Sequence, residues 1–146
     1  MLFDSNIWVA LTFPTHPFHA AATTVLETCS EAKPASFCRS TQQSFLRLIT
    51  TAALARNYGF PDIDNQQAVE ILTGYHELPY VDFLNEPSGI HDLWLKLSNH
   101  NTASPKVWMD AYLAAFAIAG GLRMVTLDRD FKNFVPQGLD LALLNP

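Results

Sequence analysis

The chain has 146 residues, 49% of them hydrophobic, so one domain of this length can bury a core without disulfide or metal supports. Its formal net charge of −5 argues against broad attraction to nucleic acid, so any such binding must rely on a local patch of Lys and Arg. Cys29 and Cys38 match no disulfide framework or zinc spacing, and we interpret them as reduced structural residues. With no secretory signal and no apolar stretch that could cross a bilayer, we predict a soluble, cytoplasmic protein outside the membrane.

Strand-like and helix-like segments alternate along the chain. The strand patterns are short apolar runs, and the helix patterns repeat apolar residues at helical spacing. In chain order, we predict strands over 2–4, 35–38, 80–84, 123–127 and 139–144, and helices over 5–13, 18–32, 40–59, 65–77, 89–100 and 107–121. This alternation predicts an α/β fold, in which a parallel sheet has helices on both faces, and we expect one domain over residues 1–146.

Two of the predicted strands end at an aspartate: "MLFDSN" reaches Asp4, and "RMVTLDRDF" reaches Asp128. Asp110 lies early in the helix directly upstream of the second of these strands. In open parallel sheets, ligands bind beyond the carboxyl ends of the strands, so we expect the three carboxylates at one crevice. Acids gathered there raise one another's pKa unless a cation intervenes, and a hard divalent ion is the cation that suits oxygen ligands.

Each acid also has an explanation that involves no ligand. Asp4 and Asp110 could each be an acid favoured at a helix N-terminus, and Asp128 could be a turn residue. Asp130, in the same "LDRDF" segment, is a weaker candidate for the site. Separate capping roles do not explain why Asp4, Asp110 and Asp128 should share one edge of the sheet, and this coincidence favours a common site.

Four segments, "MLFDSNIW", "STQQSFLRLIT", "VWMDAYLAAFA" and "MVTLDRDF", resemble in order and spacing the PIN-domain ribonucleases, specifically the VapC toxins of VapBC toxin–antitoxin pairs. The resemblance covers nearly the whole chain. It implies a Rossmann-like sheet and a Mg²⁺ or Mn²⁺ site with Asp4, Asp110 and Asp128 as ligands and Thr126 as support. The implied activity is that of an endoribonuclease, in which metal-activated water attacks an RNA phosphodiester and leaves 5′-phosphate and 3′-hydroxyl ends.

One position departs from the family pattern. Members usually carry a glutamate in the helix after the second strand, whereas "TQQSFLR" places Gln42 there. Gln42 supplies no negative charge, only a neutral carbonyl or a hydrogen bond to metal-held water, which weakens the case for a second ion. We assign Gln42, Ser5, Asn6 and Thr126 to orienting the metal site, and whether Asp130 compensates for the missing charge stays open.

Two cations, Lys106 and Arg129, flank the acid-bearing segments, and we predict that they contact substrate phosphates. The resemblance also implies a VapB-type antitoxin, whose basic C-terminal tail lies along toxin helices, and a homodimer. The segments "FHAAATTVLETC" and "FLRLITTAALA" could form a groove for that tail or pack in the core. We interpret the three tryptophans as core residues rather than as stacking surfaces for bases: Trp8, Trp94 and Trp108.

Other functions stay open at this point. A receiver-like phosphoacceptor would have paired acids after the first strand and a lysine directly after a late strand, and neither is present. An aspartyl-nucleophile phosphatase would have Asp-x-Asp after the first strand, where Asn6 takes the second position. A PIN-like module that binds RNA or protein without cleaving is a further alternative, because Gln42 replaces the usual acid. Measured turnover separates that module from a nuclease.

Overall fold

A computed structural model describes residues 1–145, which form a parallel sheet, α-helices and one 3₁₀ helix. The strands are β1 (Leu2–Phe3), β2 (Ala35–Cys38), β3 (Val81–Leu84), β4 (Arg123–Thr126) and β5 (Asp140–Leu143). The α-helices are α1 (Ser5–Thr12), α2 (His19–Glu27), α3 (Arg39–Ile49), α4 (Ala52–Asn57), α5 (Asn65–His76), α6 (Ile90–Ser98) and α7 (Val107–Ala119). The 3₁₀ helix spans Arg129–Gln137.

The strand order in the sheet is β3-β2-β1-β4-β5, and every pairing is parallel. The shortest strand, β1, lies at the centre, where Leu2 pairs with Ser36 of β2 and with Met124 of β4. From β1 the chain builds outward through β2 and β3, and it then returns to the other side of β1 to add β4 and β5. The carboxyl ends of β1 and β4 therefore border the point of reversal at which open α/β sheets bind ligands. The predicted α/β fold is confirmed.

The two faces of the sheet carry separate hydrophobic cores, because successive strand residues point to opposite sides. Phe3 packs on one face with Trp8 and Phe37, and the rings of the latter two stack with centroids 3.8 Å apart. Leu2 packs on the other face with Phe116 of α7 and with the 3₁₀ helix. These two cores hold β1, and the residue that follows it, in one position from both sides.

The single helix predicted over 40–59 is wrong, because the chain forms α3 and α4 with a break at Thr50 and Thr51. Both hydroxyls donate to preceding backbone carbonyls at 2.8 Å, from Thr50 to Leu46 and from Thr51 to Arg47. Such bonds compete with regular helical geometry, and Thr51 adopts an extended backbone before α4 begins. The apolar stripe continues through both helices, so periodicity alone does not reveal the break.

Trp108 is not a core residue, in contrast to the prediction. It is 49% exposed, because the buried side of α7 is built from alanines together with Leu113 and Phe116. Trp8 is fully buried, as predicted, and Trp94 is partly buried against the second core.

Among residues 1–145, no helix has both the length and the apolar character needed to cross a membrane.

Candidate active site

Asp4 lies at the carboxyl end of β1 and is also the N-cap of α1. Its backbone N–H donates to the Val125 carbonyl at 3.0 Å, which extends the pairing of β1 with β4 to the edge of the sheet. One carboxylate oxygen accepts from Ser5 N (2.6 Å) and Ser5 Oγ (3.2 Å). The other accepts from Asn6 Nδ2 (2.8 Å) and Thr126 Oγ1 (2.7 Å). The capping role and the role at the sheet edge are therefore combined in one residue.

Thr126 links Asp4 to Asp128. It ends β4 and is fully buried, and its hydroxyl donates to Asp4 Oδ2 while it accepts from the Asp128 backbone N–H at 3.0 Å. Asn6 spans the same gap, because its Oδ1 accepts from the Leu127 N–H at 3.2 Å. The structure thus joins the ends of β1 and β4 through side chains that the sequence analysis assigned to a supporting role.

Lys106 draws three further acids together. Its Nζ lies 2.8 Å from Asp128 Oδ2, 2.6 Å from Asp130 Oδ2 and 3.7 Å from Asp110 Oδ2. One carboxylate oxygen from each of these acids lies within 4.8 Å of the others. The cap position of α7 is Lys106, so Asp110, within the first turn, faces the acid cluster instead of capping the helix. Asp130 therefore belongs to the cluster, and the Lys106 ammonium is bound to acids in this structure.

Burial and charge affect the pKa values of these acids in opposite directions. Burial raises the pKa of Asp4, although its hydrogen bonds with Thr126 and Ser5 partly offset the rise. Burial also raises the pKa of Asp110, and the neighbouring carboxylates add to this effect while Lys106 opposes it. For Asp128, burial is outweighed by the Lys106 ion pair and a backbone N–H bond, so its pKa lies below the usual value. The two most enclosed acids thus resist ionisation unless a cation offsets their charge.

Gln42 makes no hydrogen bond to the acids within residues 1–145. Its Oε1 accepts from Arg39 Nη1 at 2.6 Å, and its Nε2 lies 3.2 Å from His76 Nε2. The Arg39 guanidinium lies 4.7 Å from the centre of the Phe83 ring. This polar chain was not predicted, because its members come from separate elements and no local motif connects them. Arg129, the second predicted phosphate contact, is exposed and has no salt bridge in the described part of the chain.

A cavity of about 410 Å³ opens beside the outer acids. Lys106, Asp110 and Asp130 form part of its wall, and it extends to residues of α6 and of the 3₁₀ helix. A volume of this size lies in the range typical of ligand sites. Asp4 is only 6% exposed, so the acids are accessible from the side of this cavity and closed on the side of β1.

The PIN domain family model matches residues 1–135. The chain belongs to the PIN-domain family. Ribonuclease VapC41 of Mycobacterium tuberculosis, found in strains CDC 1551 / Oshkosh and ATCC 25618 / H37Rv, is 38% identical to this PIN-domain chain over 145 residues. That match covers 99% of this chain and 98% of the relative, so the resemblance extends over both proteins almost completely.

Solved structures share the fold of this PIN domain at low sequence identity. Mycobacterium tuberculosis VapC20, a Sarcin-Ricin loop cleaving toxin, has a TM-score of 0.64 at 15% identity, with 99% of this chain and 98% of that chain covered. VapBC2 from Rickettsia felis, bound to a promoter DNA fragment, has a TM-score of 0.66 at 14% identity and the same coverage. VapBC-1 from nontypeable Haemophilus influenzae has a TM-score of 0.57 at 18% identity, with 97% and 96% covered.

Family membership decides between the functions that the sequence left open. The VapC relative and the PIN domain match confirm the predicted ribonuclease toxin of the VapC type. The receiver-like and phosphatase alternatives are therefore excluded, and a module that no longer cleaves is not favoured. The roles of individual residues are still predictions at this point.

Proposed function

We propose that this PIN-domain ribonuclease hydrolyses RNA with Mg²⁺ or Mn²⁺, and that Asp4, Asp110 and Asp128 hold the ion. The observation that carries the proposal is that the oxygens of Asp110, Asp128 and Asp130 converge at the reversal point of the sheet, while Thr126 links Asp4 to Asp128. Burial raises the pKa of Asp4 and Asp110. When burial and neighbouring carboxylates make the ionised form of an acid unfavourable, a bound cation stabilises that form, and oxygen ligands favour a hard divalent cation.

The outer oxygens lie close enough to share one ion after a small contraction. In an octahedral shell with oxygens about 2.1 Å from Mg²⁺, oxygens on opposite sides are about 4.2 Å apart. The oxygens of Asp110, Asp128 and Asp130 lie within 4.8 Å of one another, and an ammonium already occupies the space among them. We therefore propose Asp130 as an additional, outer ligand or as a group that holds a metal-bound water.

Asp4 fits a ligand that also positions its neighbours. A carboxylate has about four acceptor sites, and all four are used in this structure. Asp4 would bind an ion by giving up one of these bonds, and the bond from Ser5 Oγ is the longest of them at 3.2 Å. Thr126 would then keep Asp4 and the Asp128 backbone in a fixed relation, which is the role of second-layer hydrogen bonds in metal sites.

The bound ion would supply Lewis acidity, which lowers the pKa of water and stabilises negative charge on phosphate. The chain itself would supply the positive groups that hold RNA. Arg129 is exposed next to Asp128, and we propose that it contacts a phosphate. Lys106 lies against the oxygens that would bind the ion, so we expect its ammonium to turn to the RNA phosphate when those oxygens are occupied. Gln42 would act indirectly, because Arg39 and His76 engage its amide.

We further propose a VapB-type antitoxin as the protein partner. The acid cluster already holds one ammonium, from Lys106, so a basic side chain of the antitoxin could take the same position. On the opposite face of the sheet, an apolar cavity of about 410 Å³ lies between α1 and α5, with Leu11, Phe60 and Ile71 in its wall. We propose that the antitoxin tail binds in this cavity instead of in the expected groove between segments 18–29 and 45–55, because the cavity wall is apolar. A homodimer and a cytoplasmic location complete the proposal.

Cleavage of a total-RNA pool by the purified protein tests this function. The protein would be incubated with Mg²⁺, with Mn²⁺ and with EDTA, beside an Asp4→Asn/Asp110→Asn double variant. We expect cuts that require metal, disappear in the variant and leave 5′-phosphate ends.

The same assay separates a nuclease from a module that only binds. If the folded, metal-supplied protein binds RNA without cutting it and Gln42→Glu restores cutting, the Gln42 replacement has disabled the site. If neither protein cuts any RNA, the proposed metal-dependent activity is wrong.

A further inference from the structure

The cavity beside the outer acids continues into a second cavity of about 610 Å³. The two cavities share Asn99, His100, Ser104 and Val107, which belong to the segment between α6 and α7 and to the first turn of α7. Together they form one depression, here named the α6–α7 cleft, that runs from Asp110 and Asp130 at one end to Trp108 at the other. An extended ligand that reaches the acids can therefore continue along this cleft.

The acid end of the cleft combines charged, amide and apolar groups. Lys96 and His100 form part of the wall, and Asn133 adds an exposed amide. The apolar part of the wall includes Leu97 and Phe134, which are buried at 7% and 5% exposure. Amides both donate and accept hydrogen bonds, as a nucleobase edge requires, and the apolar wall suits the face of the base.

The far end of the cleft presents an aromatic ring. Trp108 is 49% exposed, and its backbone carbonyl accepts a 2.8 Å hydrogen bond from Trp94 Nε1, which fixes the start of α7. The Trp94 ring meets the Trp108 ring edge-on at 6.2 Å, so Trp94 supports Trp108 from one side. The same wall includes Ser98, whose buried hydroxyl has no hydrogen-bond partner within residues 1–145. Exposed aromatic rings in nucleic-acid grooves serve as stacking surfaces for unpaired bases.

We propose that the α6–α7 cleft binds unpaired RNA nucleotides next to the scissile phosphate. The base nearest the cut lies in the acid-side cavity, where Asn133 contacts its edge, and a following base stacks on Trp108. Lys96 and His100 face the backbone between these bases. This inference rests on the proposed nuclease function, because the acid cluster defines where the scissile phosphate lies. Unpaired nucleotides fit this cleft, since bases within a duplex are stacked and cannot enter the cavity.

Binding measured without cleavage tests the cleft directly. The probe is a fluorescein-labelled single-stranded RNA of random sequence, about 12 nucleotides long, titrated with the full-length protein in EDTA. We expect Trp108→Ala to weaken binding roughly ten-fold and Trp108→Phe to retain most of the affinity, because a phenyl ring still stacks. Asn133→Ala should weaken binding several-fold and should relax the base preference beside the cut in a sequenced cleavage pool. Asn57→Ala removes an exposed asparagine of α4, outside the cleft, and is the matched control.

Tryptophan fluorescence gives a second readout that does not depend on activity. RNA should quench the wild-type emission, and Trp108→Phe should remove most of that quenching. Equal RNA affinity in wild type and Trp108→Ala, together with an unchanged base preference in Asn133→Ala, would overturn the cleft even if the protein cuts RNA. If the emission instead changes with protein concentration in the absence of RNA, Trp108 lies in a contact between copies of the chain. That result would also overturn the proposed cleft. Loss of cutting with intact, Trp108-dependent binding would reject the nuclease proposal and keep the cleft.

Discussion

Asp4 and Asp128 both follow a strand of the sheet, but their carboxylates are held in different ways. Asp4, on the inside, is enclosed by backbone and hydroxyl donors from two elements. Asp128, on the outside, depends on the flexible and exposed Lys106 side chain and on one local backbone bond. Accordingly the pKa of Asp4 is raised and that of Asp128 is lowered. At this sheet edge, burial therefore dominates the pKa of the enclosed acid, whereas a mobile cation dominates the pKa of the more exposed one.

Because Asp4 is enclosed by hydrogen-bond donors, we expect it to be important for folding as well as for activity. Asp4→Ala leaves the Thr126 hydroxyl, the Asn6 amide and the Ser5 N–H without their acceptor, and we expect the unfolding free energy to fall by about 2–3 kcal/mol. Cleavage should also be lost. Urea unfolding of the metal-free protein measures the first effect. An unchanged or raised stability would mean that the cost of burying the Asp4 charge exceeds the value of its hydrogen bonds.

Thr126→Val removes the hydroxyl between the two strand ends and keeps the shape of the side chain. Because the Asp128 N–H and one Asp4 oxygen then lose a buried partner, we expect a loss of about 1–2 kcal/mol in unfolding free energy. Thr126→Ser keeps the hydroxyl and is the control, with a smaller loss expected from its missing methyl group. If both variants lose equal stability, packing of the methyl group explains the effect.

The pH dependence of ion binding should reflect the raised pKa values of Asp4 and Asp110. Protonation removes the charge that an ion binds, so affinity is present above these pKa values and is lost as the pH falls through them. We expect Mn²⁺ to bind progressively more weakly as the pH is lowered from 7 to 5, because both acids take up protons at a higher pH than an ordinary aspartate does. Calorimetric titration at several pH values measures this. Constant affinity across that range would show that neither acid takes up a proton there.

Asp110→Asn tests whether the cluster opposes folding when no metal is bound. The substitution removes a half-buried charge that faces other carboxylates, so we expect the metal-free protein to gain about 1 kcal/mol, or about 3 °C in melting temperature. Added Mg²⁺ should stabilise the wild type and not the variant. A lower melting temperature for the variant would show that the contact with Lys106 contributes more than the repulsion costs.

Asp130→Ala should have the smallest effect on stability. The Asp130 side chain is 61% exposed and its partner Lys106 is 57% exposed, and ion pairs of this kind contribute under about 1 kcal/mol. The informative measurement is the Mn²⁺ affinity of this variant. Weaker Mn²⁺ binding would show that Asp130 contributes to the metal site. Normal Mn²⁺ binding would show that its role is only to pair with Lys106.

The sequence was most informative where one strong local signal coincided with the topology. A short apolar run that ends at Asp4, and another that ends at Asp128, locate the edge of the sheet once the strands are taken as parallel. Asp110 follows from its place early in an apolar helix. The sequence makes Asp130 a weaker candidate, because the 3₁₀ helix has no regular apolar period and its first residues resemble an ordinary turn. The structure places its carboxylate beside those of Asp110 and Asp128.

The remaining features depend on contacts between distant residues. Gln42 meets His76 across a separation of 34 residues, and no spacing rule connects them. The sequence predicts a core position for Trp108, because a tryptophan in an apolar helix is usually buried. Its exposure depends on which side of α7 meets the sheet, and alanines determine that side through close packing. The chain pattern shows that such a helix exists, but it does not show how the helix is rotated.

The bond between Thr126 and Asp4 joins residues 122 positions apart, and this has a consequence for synthesis on the ribosome. The central strand is made first, but its neighbour on the β4 side is made near the end, so the nascent chain cannot assemble the acid cluster until almost all of it has emerged. Contacts of such long sequence separation also form slowly. We therefore expect a nascent chain, or one that terminates early, to lack the assembled acids and with them the proposed nuclease activity.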